Sequence, residues 1–341
     1  APAFLLRGSG GTIAAFSDDG KILLTAGGDS VRIWNAHTFK PLADPMRHLG
    51  RIDIAALSSD GRRVLTAGAD GALRVWAADR GRQLWVGKHD GPILSAAFSR
   101  DSTFVVSGSK DRTAQIWEAA TGKKLATIRR ENEVDQVIFN PAGDKLMTLS
   151  ASTIRIFDVK SGKAEKSPER VEIGVCFYAT FSPDGKYLIS AGQSSAHVID
   201  VATGTEIATA DVWPHDSPWS IVEAAYAPSG AKFATATTGS IQIWDAATGK
   251  PVTNALRGDD LRYFNSVAFS ANGDRLLAAG GTPTSKKHVW MVWDARSAKR
   301  LEVVRYESPG MASALSPEGT LIAAGGIEAD DTAVWRLSRD N

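Results

Sequence analysis

Residues Phe98–Ile128 read FSRDSTFVVSGSKDRTAQIWEAATGKKLATI. An apolar strand, a turn, a second strand, a turn and a strand ending in an aromatic follow one another here. The same order recurs in FSDDGKILLTAGGDSVRIWNAHTFKPL from Phe16 and in LSSDGRRVLTAGADGALRVWAADRGRQL from Leu57. Weaker copies begin at Phe139, Phe181, Tyr226, Phe269 and Leu315. The closing marker of each copy falls at Trp34, Trp76, Trp117, Phe157, Ile199, Trp244, Trp293 and Trp335, with spacings of 42, 41, 40, 42, 45, 49 and 42 residues. Just before these markers, VRIW, LRVW, AQIW, IRIF and IQIW alternate polar and apolar residues and are rich in β-branched types, the pattern of strands. Asp-Gly, Ser-Gly and Asn-Gly pairs at 19–20, 60–61, 184–185, 229–230 and 272–273 supply tight turns, and Thr-Gly or Ser-Gly pairs at 121–122, 161–162, 203–204 and 248–249 supply the next ones.

Eight copies at about forty residues match the period of a propeller with four strands per blade. The expected fold is all-β: an eight-bladed β-propeller of four-stranded antiparallel blades, forming a single domain over residues 1–341. After Trp335 only RLSRDN remains, so the last repeat lacks a fourth strand, while Phe4-Leu5-Leu6 precedes the first repeat as an apolar strand without a partner. Residues 3–7 are therefore expected to complete the last blade and close the ring, which would remove two exposed sheet edges. On this reading the chain begins and ends where a complete ring does.

Composition narrows the function. The 341 residues carry a formal net charge of +1, and the basic doublets Arg62-Arg63, Lys123-Lys124, Arg129-Arg130 and Lys286-Lys287 are scattered. This argues against nucleic acid as a partner. No apolar run is long enough for a membrane span, so no membrane insertion is expected. Cys176 is the only cysteine. It lies in the apolar run Val175-Cys176-Phe177-Tyr178 and reads as a buried small hydrophobe; without disulfides, a cytoplasmic location is the expectation. No signal peptide is visible at the N-terminus, although a cleaved leader or a domain taken from a longer protein would look the same.

The FSPDG turn at Phe181–Gly185, the Ser/Thr-Gly/Ala-Gly-x-Asp segments and the Ile-Trp-Asp/Glu-Ala-Ala-Thr-Gly-Lys runs resemble the WD40-repeat family across essentially the whole chain. The wording of the repeats is similar to that of bacterial members. The resemblance implies a structural tetrad of His, Ser/Thr, Asp and Trp within a blade. It is complete twice, as His48, Thr66, Asp70, Trp76 and as His89, Ser107, Asp111, Trp117, with internal spacings of 18, 4 and 6 in both. The first blade keeps Thr25, Asp29 and Trp34 without the His, and blades four and five lack the Trp. A His, a hydroxyl and a carboxylate together could suggest a catalytic triad, but repetition in successive blades favours a structural hydrogen-bonded chain.

No other motif carries chemistry. Gly8–Thr12 (GSGGT) has no following Lys and no helix, so it is not a phosphate loop. The six histidines (37, 48, 89, 197, 215, 288) are not at metal-ligand spacing. No catalytic residue, metal or cofactor is expected. The resemblance implies a non-catalytic scaffold or sensor that binds a protein or peptide on one face, as a monomeric ring that could be tethered to another domain. The alternatives are a regulatory domain of a larger enzyme or NTPase polypeptide and, less favoured, a cofactor-dependent propeller enzyme.

Carried over by position, the family's contact residues four before the first-strand aromatic are Thr12, Asp53, Leu94, Asp135, Phe177, Val222, Asn265 and Met311. Those six before it include Arg51, Glu133, Ser220 and Tyr263, and Lys110 holds a third such position. Two long connections, Asp211–Trp219 and the stretch Arg257–Tyr263, add Trp213 and Trp219. The expected partner surface thus has a charged sector (Arg51, Asp53, Lys110, Glu133, Asp135) and an apolar one (Phe177, Trp219, Val222, Tyr263, Met311).

Overall fold

The computed structural model describes residues 2–7, 12–164, 171–172, 176–192, 195–211, 223–237, 239–257, 263–281, 287–307, 313–327 and 331–337. Its strands form eight antiparallel sheets, the blades of one propeller. The repeat quoted first is blade 3, whose strands Ile93–Phe98, Phe104–Ser109, Thr113–Glu118 and Lys124–Arg129 pair in chain order. All eight aromatic or apolar markers lie on third strands and are at most 7% exposed. No helix among the described residues is long and apolar enough to cross a membrane.

In blades 1, 2, 3, 5 and 7 one serine side chain builds the turn that opens the repeat. Ser99 Oγ donates to Asp101 and accepts the N–H of Phe104 at 2.9 Å, holding the first and second strands together. Ser17, Ser58 and Ser182 make the same pair of bonds, and Ser270 makes them with Asn272. The next residue must turn left-handed; Gly185 does so at φ 72°, where a side chain would be strained. Blade 3 places Ser102 there at φ 60°, and its Oγ accepts the N–H of Asp60 from blade 2 at 3.2 Å.

The ring closes between the chain ends. Phe4–Leu6 pairs with Asp331–Arg336, setting Phe4 opposite Val334, Leu5 opposite Ala333 and Leu6 opposite Thr332. Leu6, 4% exposed, packs with Leu23 and Trp34 of blade 1 and Val334 of blade 8. The Phe4 ring sits 4.1 Å from that of Phe39. The N-terminal strand therefore supplies both a missing ladder and part of the seam between first and last blades.

Apolar clusters lie between blades rather than within them. Leu65 and Val75 of blade 2, for example, pack with Val105 and Trp117 of blade 3. At the ring centre, first strands are tied by side chains: Val137 N–H to Ser95 at 3.1 Å, Ala179 N–H to Gln136 at 2.9 Å, and Val267 N–H to Glu223 at 2.9 Å. Burial pushes the Glu223 carboxyl above the usual range despite its bonds from Val267 and Ser266.

Outer strands vary most. Blade 1 ends in the two-residue strand Met46–Arg47 and blade 4 in Val171–Glu172. Blade 6 has three regular strands, Glu223–Tyr226, Lys232–Ala236 and Ile241–Asp245. Residues 251–256 take its fourth place irregularly, bridged to the third strand at Trp244–Pro251 and Ile241–Leu256.

Candidate functional site

Strand register decides which loops share a face. In blade 3 Ile93 lies opposite Ser109 and Thr113 opposite Arg129, so the segments before the first strand, after the second and after the fourth emerge at one end. We call this end the top. The first strands slip by one residue between Ile52 and Ile54, Ile93 and Ser95, Cys176 and Tyr178, and Phe264 and Ser266. The extra residues are Asp53, Leu94, Phe177 and Asn265. A bulge releases its residue from strand alternation and re-aims the side chain. Phe177 is 53% exposed as a result, although its neighbour Cys176 is buried.

Around blades 2 to 4 the top is charged. Asp53 accepts from Arg51 Nε at 2.7 Å, Lys110 Nζ lies 3.9 Å from Glu133, and Asp135 accepts the N–H of Ala151 at 3.1 Å. Arg112, Glu131, Asn132, Glu133, Asp135 and Ala151 line a cavity of about 330 Å³. Exposed pairs of this kind contribute only about 0–1 kcal/mol each, so a partner can displace them at little cost.

Beneath this rim, blade 3 holds an unbroken chain. Trp117 Nε1–H donates to Ser107 Oγ at 3.0 Å, and Ser107 Oγ lies 2.8 Å from His89 Nε2. His89 Nδ1 lies 2.9 Å from Asp111, which also accepts from Thr113 and from Asp90 N–H. Burial pushes His89 below its usual range against the pull of Asp111, so the imidazole is neutral. Its Nδ1–H then donates to Asp111 and its Nε2 accepts the Ser107 hydroxyl. Bonds from Thr113 and His89 hold Asp111 low although burial opposes them.

Blade 2 differs. Trp76 Nε1–H donates to Thr66 at 2.9 Å, but no hydrogen bond joins His48 to Thr66. Instead Arg74 Nη1 lies 2.6 Å from His48 Nε2 and 2.9 Å from Asp70. Where blade 3 has the neutral Gln115, blade 2 has a cation, and the guanidinium takes up the imidazole and the carboxylate. Burial first and Arg74 second hold His48 below its usual range, so it accepts from the arginine as a neutral ring.

In blade 4 the histidine position is Arg130, which donates to the Thr148 hydroxyl and to Thr153 O at 3.1 Å. In blade 5 Ser190 Oγ donates to Cys176 Sγ at 3.0 Å, and burial pushes that thiol up, away from thiolate chemistry. Chemically these groups are closed. Ser107 and His89 are 0% and 2% exposed, so no substrate reaches the blade 3 group. A second His–hydroxyl–carboxylate arrangement stands on the third and fourth strands of blade 5, where Ser195 Oγ lies 2.9 Å from His197 Nε2 and His197 Nδ1 lies 3.0 Å from Glu206, with the histidine and the glutamate partly exposed. No cluster of His, Cys, Asp and Glu able to hold a metal occurs among the described residues.

A sequence model described as "WD domain, G-beta repeat" matches residues 5–35, 40–77 and 82–118. Residues 5–118 carry three WD40 repeats. A search of curated proteins found no match. Among solved structures, the C-terminal WD40 domain of Sif2 aligns at TM-score 0.80 and 17% identity, covering 99% of this chain and 98% of that one. The computationally designed Ika8 protein aligns at TM-score 0.76 and 19% identity, covering 97% and 98%. At these identities both likenesses concern the fold alone.

The propeller brings Arg51, Asp53, Lys110, Glu133 and Asp135 to one sector of the top, with Phe177 beyond them. Tyr263 and Asn265 lie on the strand Tyr263–Phe269, which is described in its backbone only at these two positions. Trp213, Trp219, Ser220, Val222 and Met311 lie outside the described residues. Sequence reasoning missed Leu49, 91% exposed between His48 and the first strand of blade 2. Its signal was present: a leucine directly after a tetrad histidine sits in a face loop. Arg130 was missed too, though it stands 18 residues before Thr148, the spacing of His89 to Ser107.

Proposed function

We propose that this propeller is a non-catalytic interaction module that holds a peptide or protein segment across its top face. One observation carries the reading. Leu49 and Phe177, at 91% and 53%, are the most exposed large apolar side chains among the described residues, and both stand on the face that also carries the displaceable charge pairs. Apolar anchors beside a polar rim are the anatomy of binding surfaces. The burial of the His89–Ser107–Asp111 group supports a structural role for it. Trp219, Val222, Tyr263 and Met311 extend the proposed apolar sector.

The test is a crosslinking pull-down with the intact chain, comparing wild type with the Leu49→Ser/Phe177→Ser double variant. A Val86→Ser control changes an exposed side chain on an outer strand. The proposed surface requires capture by wild type and by the control, and loss in the double variant. Equal capture by all three would place the contact elsewhere.

A further inference from the structure

The end of the ring opposite the top carries the turns between first and second strands and the hairpins between third and fourth. At this end, where blade 8 meets blade 1, lies a cavity of about 580 Å³. His37, Glu318 and Arg336 line it, together with Ala36, Leu321 and Leu337. The three polar side chains are exposed, and none makes a hydrogen bond or ion pair among the described residues. A carboxylate and a guanidinium thus share one cavity without pairing to each other.

Glu318 stands where other blades have an aspartate, one methylene shorter. Asp19, Asp60, Asp101 and Asp184 each accept the hydroxyl of the serine two residues back, which ties the carboxylate into its own turn. In blade 8 Ser316 Oγ still accepts the N–H of Leu321 at 3.0 Å, but among the described residues it makes no bond to Glu318. The longer side chain leaves the turn and lies over Gly20 of blade 1, where an added Cβ would stand 2.5 Å from Glu318 Oε1.

Arg336 reverses the character of its position. In the seven other blades the residue after the third-strand marker opens the hairpin to the fourth strand, bonding its N–H to the carbonyl five residues on. In six of them it is an acceptor, Asn35, Glu118, Asp158, Asp200, Asp245 or Asp294, whose side chain holds the hairpin. Blade 8 takes its fourth strand from Phe4–Leu6, so no hairpin joins its third strand to its fourth. A cation stands in the acceptor's place and faces the cavity. Both departures belong to blade 8, at the seam where the ring closes.

We propose that this cavity binds a small aliphatic zwitterion, an apolar α-amino acid or a short peptide with both ends free. Glu318 takes the ammonium, Arg336 takes the carboxylate through paired N–H donors, and Ala36, Leu321 and Leu337 take the hydrocarbon. The volume falls within the range of small-molecule sites, about 300–1,000 Å³, and an apolar wall with a few convergent polar groups is their usual lining. A ligand carrying both charges satisfies both unpaired groups, which a simple anion or cation does not. The site lies at the far end of the ring from the top face and is independent of that reading.

The experiment is calorimetric titration of the intact chain at low salt with L-leucine and with leucyl-leucine, each also acetylated at its amine or amidated at its carboxyl. With ligand up to about 10 mM, at least one free form is expected to bind, and its two blocked forms about fivefold or more weaker. Arg336→Gln should weaken the free form about fivefold or more and abolish its advantage over the amide; Glu318→Gln should do the same against the acetylated form. Arg129→Gln, a surface arginine on blade 3, should change nothing. Both substituted positions are exposed, and a melting curve checks folding. Tighter binding of the dipeptide assigns the site to a peptide, and equal or weaker binding assigns it to the free amino acid. No binding of either free form, a blocked form binding as tightly as its parent, or a preference that survives the substitution meant to remove it would overturn the site.

Discussion

Removing the Ser107 hydroxyl should cost about twice as much as removing that of Thr66, although the two occupy the same place in successive blades. Ser107 serves two partners, accepting from Trp117 Nε1 at 3.0 Å and donating to His89 Nε2 at 2.8 Å. Thr66 serves only Trp76, because Arg74 has taken His48. Both positions are 0% exposed, so water does not replace what is lost. An orphaned buried polar group costs about 1–3 kcal/mol. Ser107→Ala strands two and is expected to cost about 2–6 kcal/mol, while Thr66→Val, which keeps the side-chain shape, strands one and costs about 1–3 kcal/mol. Guanidinium unfolding at about pH 8, followed by both tryptophan fluorescence and circular dichroism, reads the difference, with both histidines neutral in either state. A Ser107→Ala midpoint no lower than that of Thr66→Val, at unchanged slope, would refute the two-partner role of Ser107.

The same groups set an acid limit. His48 and His89 are held below the ordinary 6.5, so between the two values the unfolded chain binds more protons than the folded one. Their stabilisation is complete above about pH 6.5 and is lost as pH falls through the folded values, by up to about 1.4 kcal/mol per pH unit for each. His89→Gln should flatten the decline of unfolding midpoints between about pH 7.5 and 5.5, and an unaltered decline would remove His89 from the account. Glu223 has the opposite sign: its folded value is raised, so its contribution is lost as pH rises through that value. Glu223→Gln keeps an acceptor for Val267, as Gln136 does for Ala179, and should raise the thermal midpoint at neutral pH, with the gain vanishing in acid; a lower midpoint would show the charge to be stabilising. Ala298 stands at φ 60° where other blades have Gly122, Gly162, Gly204 and Gly249. Ala298→Gly is expected to stabilise by about 0.5–1 kcal/mol, whereas Ser102→Gly, at the same φ, also loses the bond to Asp60 and should gain less in the same melts.

The ring was legible because its determinants are local and repeated. A serine two residues before an aspartate, a glycine after it and a tryptophan on the third strand each act within one blade, and although none of the three is kept in every blade, enough recur in register for eight copies to spell out the architecture. Closure was legible for a related reason, since Phe4–Leu6 had no partner in its own repeat. Side-chain roles between blades were less so. Alternation in LRVW marks Arg74 as facing away from the apolar side, which in a free-standing sheet means solvent. In a propeller both faces of a blade are covered by its neighbours, and Arg74 is 6% exposed. The bulges at Asp53 and Phe177 leave no mark on the local pattern either, because the extra residue is defined by its register against the second strand.

The variation among blades then follows a physical order. In blades 3 to 5 the hydroxyl on the second strand bonds a group above it, but which one is free to change: a neutral His89 in blade 3, Arg130 in blade 4, Cys176 in blade 5. Each choice keeps the hydroxyl satisfied, so the fold tolerates it, yet each alters what lies under the top face. Arg130 brings a permanent cation beneath the rim where Glu131, Glu133 and Asp135 gather, while blade 5 brings a neutral thiol beside the exposed Phe177. The charged and apolar sectors of the top thus coincide with the substitutions in the layer below. Exchanging Arg130 for His should therefore leave blade 4 folded, through the bond to Thr148, and make the rim above it more acidic, which a shift in the salt dependence of partner capture would report.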